Sequence, residues 1–190
     1  MNKERCAVRV WAVWFFVWLG ILGCLREPLE VPAELVLFDF ETEADLDRMH
    51  WQCFTLFSLV EEYAGRGKQS LRMALHPSPY PGWSAKLDRN DWRGFMALAF
   101  DIYNPREVSV PLTVRIDDRK DYPGYEDRYN QRFVLAPGAN GVVIPLDALV
   151  TSDGRRVLDL GSIYRFMMFL VSPVEVHVLY LDNVRLVGEG

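Results

Sequence analysis

From Leu35 onward the chain alternates short apolar or β-branched runs with clusters of Gly, Pro, Asn and Asp about every ten residues, the rhythm of strands joined by turns. The pattern predicts strands at Leu35 to Glu41, Cys53 to Glu61, Ser70 to Leu75, Trp83 to Asp88, Ala97 to Tyr103, Val110 to Asp117, Tyr129 to Leu135, Gly141 to Pro145, Tyr164 to Val171 and Val176 to Leu186. No stretch has the 3.6-residue period of a long helix. Glu43 to Met49 and Leu146 to Val150 are short helical connectors. The reading is an all-β sandwich over residues 35–188.

Within a strand, successive side chains point to opposite faces. In Val110 to Asp117 this sends Val110, Leu112, Val114 and Ile116 to the core and Thr113, Arg115 and Asp117 to the other side. In Tyr129 to Leu135 it sends Phe133 and Leu135 inward and leaves Asn130 and Arg132 on the opposite face. Two neighbouring strands therefore present one polar, chargeable outer patch.

The start of the chain follows a different pattern. A basic stretch to Arg9 precedes the apolar run Val10 to Leu22, then Gly23-Cys24. That is signal-peptide anatomy, and the run is shorter than the roughly 20 residues that span a bilayer. Ile21-Leu22-Gly23-Cys24 resembles a bacterial lipobox, which implies a signal peptide over residues 1–23, lipidation of Cys24 and a tether over 24–34 containing Pro28 and Pro32. The alternative is an uncleaved hydrophobic anchor on the same membrane. Either way the protein is exported, membrane-anchored and extracytoplasmic. With Cys24 acylated, Cys53 is left without an intrachain disulfide partner.

Composition adds exclusions. The 190 residues are half hydrophobic and a quarter charged, with net charge -5 and no Lys/Arg block, so the chain is globular and nucleic acid is excluded as a partner. His50, His76 and His177 lack metal-ligand spacing, and Cys53 lies in an apolar run, so neither type points to chemistry. Trp92 precedes a strand as a core or rim anchor.

The segments LFDFE (Leu37 to Glu41), GKQSLRM (Gly67 to Met73), YPGWSAKLDRNDWRGFMALAFDIYNP (Tyr80 to Pro105) and LYLDNVRL (Leu179 to Leu186) resemble noncatalytic carbohydrate-binding modules of the galactose-binding-like β-jelly-roll group. The resemblance covers nearly everything after the leader. It implies a two-sheet antiparallel β-sandwich with jelly-roll topology and a glycan or polysaccharide ligand held on a concave face or in edge loops. It also implies a structural Ca²⁺ near the first and last strands, with Glu41, the Lys68 carbonyl and Asp182 as matching positions and Asp39 as a substitute; oxygen-only ligands suit that ion.

A sugar site needs flat rings for apolar sugar faces and planar hydrogen-bonding groups for hydroxyls. Tyr80, Trp83, Tyr122, Tyr125 and Tyr129 supply rings, and Arg115, Asp117, Asn130 and Arg132 supply hydrogen bonds. The competing reading is a long loop, Asp118 to Arg128, with tyrosines packed on the rim and Arg/Asp pairs networked at the surface. Asp117 and Asp118 would serve a glycosidase only with one raised pKa and a defined separation across a cleft. The expectation is a glycan-binding module without an active site. The alternative is a structural or protein-interaction domain of a cell-envelope complex on the same scaffold.

Overall fold

A computed structural model describes residues 32–51 and 53–189 of the chain. The expected signal peptide, Cys24 and all but the end of the expected tether lie outside these residues. The described chain is nearly all strand: β1 (Glu34–Phe38), β2 (Met49–Trp51), β3 (Thr55–Val60), β4 (Ser70–Leu75), β5 (Gly82–Ala85), β6 (Phe95–Asn104), β7 (Val110–Asp117), β8 (Tyr129–Leu135), β9 (Gly138–Pro145), β10 (Arg165–Phe169) and β11 (His177–Gly188). One short helix, α1 (Ala44–Asp47), and two 3-10 turns, Tyr125–Asp127 and Leu146–Ala148, complete the regular structure. Among the described residues no helix is long and apolar enough to cross a membrane.

The strands form two antiparallel sheets. A six-stranded sheet runs β3-β4-β11-β6-β9, with β1 also paired to β11, and a five-stranded sheet runs β2-β5-β10-β7-β8. Their facing sides make one core, because period-two alternation supplies apolar side chains from both. Leu71, Met73, Leu75, Leu98, Phe100 and Ile102 come from the first sheet; Trp83, Leu112, Val114, Ile116, Phe166 and Met168 come from the second. The all-β, two-sheet antiparallel reading therefore holds.

β11 shows how the alternation is maintained over twelve residues. Its buried set is Leu179 and Leu181, then Val184 and Leu186, a change of parity. The pairing register slips between Asp182 and Arg185, and Asn183 takes φ 53, so one extra residue in the strand keeps the apolar set facing inward. The same break divides the neighbours on one edge: β4 pairs with His177 to Leu181, and β1 takes over from Val184.

The connector expected over Glu43 to Met49 is shorter, because Met49 already belongs to β2, which no pattern in the sequence signalled. Three residues are too few to display a period. The corner is instead held by charge: Asp45 accepts a hydrogen bond from the Phe40 amide, and Arg48 donates to the Leu37 carbonyl and pairs with Asp45 and Asp88. At Gly82 a Cβ would lie 2.1 Å from the Met168 carbonyl oxygen, so only glycine lets β5 approach β10 this closely.

Candidate functional site

The outer face of the five-stranded sheet gathers most of the expected polar residues. Residues directly opposed on neighbouring strands share a face. Reading across the sheet, Ser84, Met167, Arg115 and Asn130 form one row. Gly82, Phe169, Thr113 and Arg132 form the next. Two shallow grooves lie over these rows and meet at Arg115 and Met167. One, of about 540 Å³, is lined by Tyr80, Tyr125, Arg128, Asn130 and Arg132, with Phe169 in its floor. The other, of about 680 Å³, is lined by His50, Asn90, Tyr122, Tyr164 and Arg165.

Asp117 lies beneath both grooves. Alternation places it on this outer face, yet it is 0 % exposed. Arg115 donates to it through Nε at 2.8 Å and Nη2 at 2.6 Å, and Arg165 donates through Nη1 at 2.8 Å. A carboxylate so enclosed is a support for two guanidiniums and not a ligand-contacting group. Arg165 also donates to the carbonyl of Lys120 at 2.8 Å and stacks 3.9 Å from the Tyr122 ring centroid. The Asp118 to Arg128 loop is thereby tied to the sheet through Arg165.

Two acids of that loop, Asp118 and Asp127, are committed to ion pairs. Arg156 grips Asp118 through both terminal nitrogens and pairs with Asp127, which Arg119 also contacts. Burial pushes the Asp118 carboxyl up, but Arg156 and the Asp159 amide outweigh it and hold the group below the usual carboxylate range. A group so held has no proton to give near neutrality, unlike a glycosidase acid.

The expected rings separate into two groups. Tyr80, Tyr122 and Tyr125 are 52 %, 82 % and 63 % exposed, and all three line the grooves. Tyr129 is buried, which pushes its phenol up to about 12, and its hydroxyl hydrogen-bonds Gln131. Trp83, expected at the rim, is 0 % exposed; its ring packs edge-on against Phe38 and Phe166, each at 5.7 Å. It belongs to the core because Trp83 and Ala85 share the inward face of β5, while Ser84 points to the grooves. Trp92 is likewise a core anchor, its Nε1 donating to the Arg89 carbonyl.

No protein-family model and no curated protein sequence matches the chain. Solved structures do match in shape. A family 11 carbohydrate-binding module from Clostridium thermocellum, in complex with a β-1,3-1,4-mixed-linked tetrasaccharide, superposes with TM-score 0.63 at 16% identity, over 82% of this chain and 95% of that one. The solution structure of CtCBM11 matches with TM-score 0.62 at 17% identity, over 86% and 99%. An exo-β-agarase matches with TM-score 0.63 at 19% identity, over 82% of this chain but 25% of its own. The fold is a two-sheet β jelly roll like that of these modules.

In this jelly roll the four residues matched to a calcium site do a different job. Glu41 Oε1 accepts the amides of Lys68 and Gln69 at 2.8 and 2.9 Å. Asp182 accepts those of Gly65 and Arg66 through Oδ2 and of Asn183 through Oδ1. Asp39 accepts the amide of Glu41. Amide hydrogens thus occupy Glu41 Oε1, Asp39 Oδ1 and both oxygens of Asp182, and among the described residues no three acids, histidines or cysteines converge on one point. The arrangement does not fit a calcium cage. It fits a latch between the first strand and the 64–69 loop, in which Gly67 at φ 79 leaves room for Glu41 where a Cβ would lie 2.3 Å from its carboxylate.

The jelly roll's outer face also holds residues the sequence reading passed over. Arg128 immediately precedes β8 and shares parity with Asn130 and Arg132, so one more step of the same alternation reaches it. Arg165, Met167 and Phe169 share parity along β10 and were equally accessible to that argument. His50 was not, because it sits in the unsignalled β2.

Proposed function

We propose that the chain is a noncatalytic glycan-binding module whose ligand lies along the outer face of the five-stranded sheet, held on the extracytoplasmic side of a membrane by its N-terminal segment. The observation that carries this reading is the 540 Å³ groove, where exposed Tyr80 and Tyr125 rings stand over guanidinium and amide groups. Rings cover the apolar faces of a pyranose, and Arg and Asn side chains bind its hydroxyls. The clamped state of Asp117 and Asp118 supports the noncatalytic half of the proposal. Glycan arrays and affinity gels on the detergent-solubilised chain test it. Tyr80→Ala and Tyr125→Ala should each weaken a retained glycan by ~1–2 kcal/mol, about tenfold in Kd, with the melting temperature little changed. Absence of retention across neutral and acidic glycans would leave a protein-interaction domain as the reading.

The anchor is proposed from the leader alone. Mass spectrometry of the mature protein should find an acylated Cys24 at its N-terminus, and Cys24→Ala should block maturation or release the protein from membranes. An intact Met1 terminus would leave an uncleaved anchor in its place.

A further inference from the structure

The ligand's charge is written into the groove. Its lining includes Arg115, Arg128 and Arg132 and, among the described residues, no Asp or Glu. Among the described residues the one carboxylate paired with a groove-lining arginine is Asp117, which Arg115 shares with Arg165 from the neighbouring groove. Four guanidiniums thus face one buried carboxylate. Of the adjoining loop's acids, Asp118 and Asp127 are engaged by Arg156 and Arg119, and Asp121 and Glu126 line neither groove.

Arg128 is the most exposed to this imbalance in energy, although only half-exposed to solvent. Its side chain has no hydrogen bond or ion pair among the described residues, and its Nε is buried without a partner. Its one defined contact is the Tyr125 ring, 5.5 Å from the guanidinium carbon. Burial and the neighbouring Arg115 both work against its charge. A partly desolvated guanidinium left unpaired costs free energy that an incoming anion recovers through charge-assisted hydrogen bonds. This cationic groove sits on a chain whose formal net charge is -5, so the positive charge is local and not a property of the whole surface.

Resting on the glycan-binding reading above, we propose that the groove selects an acidic glycan, with a sugar carboxylate or sulfate seated between Arg128, Arg115 and Arg132 and a pyranose ring against Tyr80 or Tyr125. The shared chemistry is an anionic oxygen group on a sugar ring; a uronate and a sulfate ester are its two sources.

Isothermal titration of the full chain in detergent micelles separates the possibilities, using oligogalacturonate, its fully methyl-esterified form, a sulfated galactan oligosaccharide and its desulfated form. Binding to at least one acidic probe should be roughly tenfold or more tighter than to its neutral counterpart and should weaken as salt rises from 0.05 to 0.5 M. Which acidic probe binds identifies uronate or sulfate. Arg128→Gln and Arg132→Gln should each reduce the acid-to-neutral preference by about an order of magnitude. Arg155→Gln, at a position 85% exposed and outside both grooves, should not. Equal affinity for an acidic probe and its neutral form overturns the charge selection while leaving glycan binding intact. An equal loss from Arg155→Gln reduces the effect to bulk electrostatics and also overturns it. Failure of all four probes to bind overturns the glycan-binding reading itself.

Discussion

Trp83→Ala should destabilise the whole domain and not selectively impair ligand binding. The indole is completely enclosed and packs edge-on against Phe38 from one sheet and Phe166 from the other, so its removal opens a cavity at the contact between sheets. Truncations of this kind cost ~3–5 kcal/mol, which for a domain of this size lowers the melting temperature by about 10 °C. Trp83→Phe should cost less, for two reasons: it retains most of the volume, and it removes Nε1, which is buried without a hydrogen-bond partner. Circular dichroism melts of the two variants beside the parent measure this. A Trp83→Ala protein that melts like the parent but no longer binds glycan would place the indole at an accessible surface and refute the packing described.

Asp117→Ala should have a comparable effect through a different force. The side chains of Arg115 and Arg165 are 11% and 15% exposed, and the substitution leaves both guanidiniums without their buried counter-charge. Breaking a buried pair by removing one partner costs ~3–5 kcal/mol, because the remaining charge stays desolvated. Two consequences are local. The Asp118 to Arg128 loop should loosen, since Arg165 holds it through the Lys120 carbonyl and the Tyr122 ring, and Arg115 should no longer be oriented between the grooves. Asp117→Asn keeps the shape and one acceptor oxygen, and should recover part of the loss. Urea unfolding midpoints, with amide exchange in the loop as a second readout, check the expectation. Unchanged midpoints and exchange for Asp117→Ala would mean that the carboxylate supports nothing.

These two residues also mark the boundary between what was legible in the chain and what was not. The strands from β3 to β11 were readable because turn residues punctuate them and period-two alternation fills them, and the same alternation correctly assigned Val110, Leu112, Val114 and Ile116 to the core and Arg115 and Asn130 to the outer face. β2 escaped because three residues carry no period, and the bulge at Asn183 was hidden because a parity change in LYLDNVRL has meaning only once the neighbouring strands are known.

Alternation determines which side of a sheet a residue faces; it is silent about what covers that side. Asp117 faces outward and is nevertheless fully enclosed, because pairing with β10 brings Arg165 beside it from 48 residues away. Trp83 has the composition of a sugar platform, and only the closing of one sheet on the other makes it core. Glu41 and Asp182 have the composition of a calcium site, and only the path of the 64–69 loop turns amide hydrogens toward them. The chain by itself determined the class of fold, the pattern of the core and the polar outer face of the five-stranded sheet. The tertiary structure decided which polar groups there are free, because burial and charge pairing depend on residues distant in sequence and adjacent only after folding.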